Sequence, residues 1–211
     1  MDYAKIVFPD APMAPLTANK GYSMHTWFDL TSYDSIKRHE DKPSLSLAVS
    51  RLSTLIAQEH STHNIPFERI IIGGFSQGAA LSVLTRLTTL QGRIGGVFII
   101  SSYLPLREEV LSKDILGPHT ANLPIFWGHG TTDPQVPHDY WKSIAQQLAT
   151  TIEVPFLDSP GDRNEVRLTK EDIERDGLGG LRFLSYPDLG HWLSEEVLND
   201  LNVWIGAVLE R

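Results

Sequence analysis

The stretch Ile70-Ile71-Ile72-Gly73-Gly74-Phe75-Ser76-Gln77-Gly78-Ala79-Ala80-Leu81 decides the fold. The β-branched run Ile70 to Ile72 reads as a buried strand, and the segment Ala79 to Leu90 reads as a helix. Between them lies Gly74-Phe75-Ser76-Gln77-Gly78, a G-x-S-x-G nucleophile elbow. A serine there sits on a strained strand-to-helix turn with its hydroxyl facing outward. A side chain at either glycine is expected to collide with the neighbouring strand or helix. The bland alternative is a Gly-rich turn with an idle serine; the strand and helix signals on either side weigh against it.

Working outward from the elbow, Gly96-Val97-Phe98-Ile99-Ile100 and the run Leu123 to Gly130 read as further strands. A helix is expected from Asp139 to Ala149, and Leu181 to Tyr186 reads as the last strand. Ser194 is expected to cap a final helix, with Val197, Leu198, Leu201, Trp204, Ile205 and Val208 on its buried face. Upstream, Ala4 to Phe8 reads as a strand stopped by Pro9, and Pro9 to Gly21 as an extended loop. A helix is expected from Ser44, which caps it, with Leu45, Ala48, Val49, Leu52, Leu55 and Ile56 on one face. Strands alternating with helices predict an α/β fold, a mostly parallel sheet covered by helices on both faces. The pattern lapses between Thr151 and Gly180, which reads as an extended loop or lid-like excursion. With no repeat, low-complexity tract or domain boundary in view, residues 1–211 are expected to form a single domain.

Composition narrows the chemistry. A chain of 211 residues with 41% hydrophobic content can bury a sizeable core. A net charge of −8 argues against nucleic acid as a partner. The absence of cysteine excludes disulfides, thiolate metal sites and cysteine nucleophiles. His60 and His63, three apart, read as helix-end residues rather than metal ligands, so no metal or other cofactor is expected. No stretch approaches the roughly 18 apolar residues of a membrane span and no signal peptide is read, so a soluble cytoplasmic protein is expected.

A serine hydroxyl is a poor nucleophile near neutral pH. It needs a base within hydrogen-bond reach, and the base needs an orienting carboxylate. In a parallel sheet such groups belong on loops at the carboxyl ends of strands. Ser76, Asp133 and His191 each directly follow a predicted strand, and the order Ser, Asp, His is that of the α/β-hydrolases. Asp188 and His129 are the rivals. Asp188 lies on the same loop as His191 and is expected to shape the turn. His129 as the base would share a loop with Asp133 and leave His191 idle.

These residues belong to a wider pattern that resembles the phospholipase/carboxylesterase family, and within it the acyl-protein thioesterases. The matching pieces are Pro9-Asp10-Ala11-Pro12, Trp27-Phe28-Asp29, Arg69 to Gly78, Leu104-Pro105-Leu106, His129-Gly130 with Asp133-Pro134 and Val136-Pro137, and Gly190-His191. The resemblance covers nearly the whole chain. It implies an α/β-hydrolase fold with Ser76, Asp133 and His191 as the catalytic triad. It implies cleavage of acyl thioesters, including those on S-acylated proteins (protein depalmitoylation), of small acyl esters and of lysophospholipids, and it extends to a homodimer. Gln77 is expected to give one oxyanion-hole amide. Trp27, Tyr103, Leu104 and Trp192 are expected to wall the substrate pocket, with Tyr103 where the family tends to have tryptophan.

The family also places a strand and a His-Gly loop ahead of the segment matching Ala4 to Pro12, and that loop gives the second oxyanion amide. Here the only His-Gly is His129-Gly130. The expectation is therefore an amino-terminally truncated domain. Losing one oxyanion donor costs about 2.7–4 kcal/mol of transition-state stabilisation. The alternative reading is accordingly a catalytically impaired family member that binds acyl groups or partner proteins. Ala4 to Phe8 is expected to pair with Ile70 to Ile72 or to leave an exposed sheet edge.

Overall fold

The computed structural model describes residues 4–89, 93–118, 122–159 and 168–210. Residues 4–8 are exposed and form no strand, which corrects the reading of that run: Ile6 is 71% and Phe8 88% exposed. A strand exists only by pairing, and this short apolar run ending at Pro9 has no partner strand among the described residues. Lys5 instead reaches Glu59 at 2.7 Å. The Pro-rich stretch after it is not wholly loop. It contributes β1 (Met13–Pro15), which pairs antiparallel with β2 (Ser23–His25) in a small hairpin.

Helix α1 (Lys42–His63) follows. Its cap is Asp41, whose carboxylate accepts the Ser44 N–H; the Ser44 hydroxyl accepts the Asp29 N–H at 3.0 Å and so anchors the preceding loop. Then come β3 (Ile71–Phe75), α2 (Gln77–Thr88), β4 (Gly96–Ile100), the short α3 (Arg107–Leu111), β5 (Pro124–Gly130) and α4 (His138–Thr151). The stretch 151–180 is not the plain loop expected of it. It holds β6 (Phe156–Ser159) and α5 (Lys170–Asp176); residues 160–167 lie outside the described residues. The chain closes with β7 (Gly180–Tyr186) and α6 (Glu195–Leu209), capped by Ser194 as expected.

The main sheet has five parallel strands in the order β3-β4-β5-β7-β6. Its central strands β5 and β7 are buried along their whole length. The period-2 pleat sends alternate side chains to two cores. Ile125, Trp127, Leu181 and Phe183 join a core with residues of α1, α2 and α4. Phe126, Leu184 and Tyr186 join a second core with Ile173 of α5 and Val197, Leu201, Trp204 and Val208 of α6. Helices thus cover both faces, as an all-parallel sheet requires. On α6 the expected buried face is narrower than the sequence suggests, because Leu198 is 49% exposed.

Strand β3 is the edge of the sheet. The Ser76 N–H bonds to Ile100 O and the Gly95 N–H to Ile70 O, so the even-numbered residues of this segment face β4. Among the described residues, no strand pairs with the opposite side of β3. Of the two outcomes expected for this edge, the open one is found.

Candidate active site

Every parallel strand here delivers its carboxyl end to the same rim, and three of those ends build one site. The first is the elbow. Ser76 has φ 51° and ψ −121°, a conformation that costs of order 1–3 kcal/mol for a non-glycine residue. Neighbouring groups hold it there. Its N–H bonds to Ile100 O at 2.9 Å, and the Ser102 hydroxyl donates to Ser76 O at 2.6 Å. Gly74 is required, since a Cβ there would lie 2.9 Å from the Gly78 carbonyl carbon and 3.0 Å from Ala79 N. Gly78 is not required in that way. A Cβ there would meet only Trp27 Nε1, at 3.9 Å, which corrects the expectation that both glycines avoid a clash.

The second end is the turn after β5. Asp133 is buried, and its Oδ1 accepts the N–H groups of Gln135 and Val136, each at 2.9 Å. Its Oδ2 lies 2.8 Å from His191 Nδ1 and 3.5 Å from His129 Nε2. Burial raises the affinity of this carboxyl for a proton. The hydrogen bonds from His129, His191, Val136 and Gln135 outweigh it and hold the group well below the usual carboxylate range.

The third end is the loop after β7. His191 packs against Phe75, ring centroids 4.8 Å apart, and its Nε2 lies 3.0 Å from Ser76 Oγ. The Asp133 carboxylate only accepts hydrogen bonds, so Nδ1 carries the ring proton and Nε2 is free to accept from the Ser76 hydroxyl. Gly130 brings the acid and base loops together, because a Cβ there would stand 2.1 Å from Leu189 O. The Thr131 N–H bonds to Tyr186 O and the Thr132 N–H to Leu189 O, which lock the two loops in register.

The structure therefore gathers Ser76, Asp133 and His191 into one hydrogen-bonded line. The rivals lie elsewhere in the network. Asp188 is exposed, with φ 56°, and its N–H bonds to Thr131 Oγ1, so it shapes the turn. His129 is fully buried and faces Val136 O at 2.8 Å. The four expected pocket residues are dispersed. Tyr103 and Leu104 are core residues, 4% and 1% exposed, and the Tyr103 ring is stacked under the Arg38 guanidinium at 3.7 Å. Trp192 is 72% exposed. Trp27 lines a cavity of about 320 Å³ with Pro9, Pro12, Leu52 and Leu55, and none of the other three lines it.

Gln77 has a role that residue types alone do not reveal. As the first residue of α2 its N–H has no partner within the helix. Its side chain binds the loop after β2: Oε1 accepts the Trp27 N–H at 2.9 Å, and Nε2 donates to Phe28 O at 2.8 Å and to Thr26 Oγ1 at 2.9 Å. The hairpin is thereby tied to the elbow. The motif marks Gln77 as the neighbour of the nucleophile, but its amide partners lie about fifty positions away. The sequence carries no signal for them.

The chain is similar to known proteins over its whole length. Residues 1–164 match the phospholipase/carboxylesterase family. The acyl-protein thioesterase 1 of Debaryomyces hansenii is 34% identical over 210 residues, covering all of this chain and 78% of that protein. That of Candida albicans is 34% identical over 211 residues, covering all of this chain and 80% of its own length. Among solved structures, Arabidopsis thaliana SOBER1 superposes with a TM-score of 0.73 at 26% identity, over 96% of this chain and 83% of that one. Zea mays acyl-protein thioesterase 2 shares the fold, with a TM-score of 0.70 at 19% identity over 95% of this chain and 80% of that one. Among the described residues no helix is long and apolar enough to cross a membrane. The chain belongs to the phospholipase/carboxylesterase family and is a hydrolase of the α/β-hydrolase fold.

Proposed function

We propose that Ser76, His191 and Asp133 are the catalytic triad of a serine hydrolase that cleaves acyl thioesters and carboxylic esters, carried by one domain spanning the chain. The observation that supports it best is the continuous line from Asp133 Oδ2 to His191 Nδ1 (2.8 Å) and from His191 Nε2 to Ser76 Oγ (3.0 Å). Ser76 Oγ attacks the acyl carbonyl carbon while His191 Nε2 takes its proton. The imidazolium that forms is stabilised by Asp133. The tetrahedral oxyanion is met by the free N–H of Gln77. On collapse the C–S or C–O bond breaks, and His191 returns the proton to the leaving thiol or alcohol. Water, giving a proton to His191 Nε2, then attacks the acyl-serine carbonyl; the bond to Ser76 Oγ breaks, His191 returns the proton to Oγ, and the acid leaves. The thioesterase relatives favour S-acylated proteins as substrates, making the reaction a protein depalmitoylation, with small acyl esters and lysophospholipids as further candidates.

The test is covalent. A fluorophosphonate should label the protein once, at Ser76, and Ser76→Ala should abolish both the labelling and the hydrolysis of a palmitoyl thioester. Labelling or turnover that survives in a folded Ser76→Ala protein removes Ser76 from the mechanism.

A further inference from the structure

His129 is a buried group that the proposed chemistry leaves unused. It stands at the end of β5, fully buried, with Phe183 parallel to its ring at 6.3 Å and His138 edge-on at 5.8 Å. Its Nδ1 is buried and has no hydrogen-bond partner among the described residues. Its other nitrogen, Nε2, reaches Val136 O at 2.8 Å, a contact that requires the Nε2–H tautomer, since a carbonyl only accepts. The same nitrogen lies 3.5 Å from Asp133 Oδ2.

Val136 is therefore held at both ends of its backbone. Its N–H donates to Asp133 Oδ1 at 2.9 Å and its C=O accepts from His129. Val136 is itself only 5% exposed, so a carbonyl that lost the imidazole would be buried and unpaired. It could regain a partner only by rotating toward water. Because the Pro137 ring fixes the φ that follows this carbonyl, its peptide cannot turn alone, so the turn from Asp133 to Pro137 must shift with it, drawing the Val136 N–H off the carboxylate and Oδ2 away from His191.

We propose that His129 is the positioning residue for Asp133: through Val136 it fixes the carboxylate in the rotation that aims Oδ2 at His191 Nδ1. The role rests on the assignment of Ser76, Asp133 and His191 as the reacting set. It differs from that of a core histidine, whose loss lowers stability and leaves the folded molecules fully active.

The test uses the full chain and p-nitrophenyl butyrate, with three variants. His129→Phe keeps the ring and removes the N–H. His129→Gln places an amide nitrogen close to where Nε2 stands. His129→Asn carries the same amide one methylene too short to reach Val136 O. In His129→Phe, kcat should fall about 10–100-fold, the scale of a small misplacement in an active site, with KM within about twofold of the parent value. His129→Gln should recover most of that loss and His129→Asn should not. Fluorophosphonate labelling of each folded variant should slow in proportion to kcat. A folded His129→Phe protein with unchanged kcat overturns the proposal. If that variant fails to fold, equal kcat values for His129→Gln and His129→Asn overturn it. Ser76→Ala, run alongside, keeps the two readings apart: turnover in Ser76→Ala sinks the triad itself, whereas a dead Ser76→Ala beside a fully active His129→Asn sinks only the role of His129.

Discussion

Replacing Asp133 by Asn tests the geometry most sharply, because the two side chains have the same shape. Oδ1 of Asp133 accepts two backbone N–H groups, from Gln135 and Val136. In Asp133→Asn the amide oxygen must stay in that position, since turning the group over would place its NH₂ against two donors. The NH₂ then faces His191 Nδ1, where Oδ2 now lies at 2.8 Å. Two donors cannot share that contact, so His191 must move its proton to Nε2 and present an N–H to Ser76. In the proposed triad His191 could then no longer take the serine proton. Loss of the correct tautomer in a serine triad lowers kcat by about 10⁴, or about 5 kcal/mol at 1.36 kcal/mol per tenfold. KM should change little, because nothing that binds substrate has been removed. The measurement is kcat and KM on an activated ester, with circular dichroism to show that the variant is folded. A folded Asp133→Asn protein retaining kcat to within about tenfold would show that His191 does not depend on this carboxylate for its tautomer.

Two further outcomes follow from the same loops. Gly74→Ala should lower stability by about 1–3 kcal/mol and abolish labelling of Ser76, because the new Cβ meets backbone at 2.9 Å and 3.0 Å, whereas Gly78→Ala, with nothing nearer than 3.9 Å, should keep both; urea midpoints and labelling rates decide, and a normally labelled Gly74→Ala refutes the steric account. The Asp133 carboxyl is held below its unfolded value, so the stabilisation it contributes is full above about pH 4 and is lost as the pH falls through the folded value. The stability gap between the parent and Asp133→Asn should therefore shrink below about pH 4, and a gap constant down to pH 2 would contradict the hydrogen-bond pattern at this residue.

Much of the candidate site is legible in the sequence, and the reason is local. Ser76 lies in a turn whose stereochemistry is written into its immediate neighbours. Asp133 and His191 each follow an apolar run long enough to be read as a strand. The strand ends of a parallel sheet share one rim, so order along the chain became proximity in space. The capping of α6 by Ser194 was legible for the same reason, since cap and helix are adjacent in sequence. At α1 the cap lies three positions before Ser44: Asp41 accepts the Ser44 N–H, while the Ser44 hydroxyl accepts from the Asp29 N–H.

What needed the tertiary structure was everything that depends on a distant partner. Ala4 to Phe8 has the composition of a strand, yet strands are made by pairing, and these residues pair with no strand among the described residues. Phe156 to Ser159 looked like part of a loop and became a strand because β7 lies beside it. Tyr103 and Leu104 looked like pocket walls and were drawn into the core, while Trp192 stayed outside. The side-chain amide of Gln77 and the imidazole of His129 owe their roles to backbone groups that chain order alone does not place beside them. Turn stereochemistry, periodicity and order along the chain mark the residues suited to chemistry before any contact is known. Tertiary structure alone decided which of them touch, because burial and hydrogen bonding are settled between segments far apart in the chain.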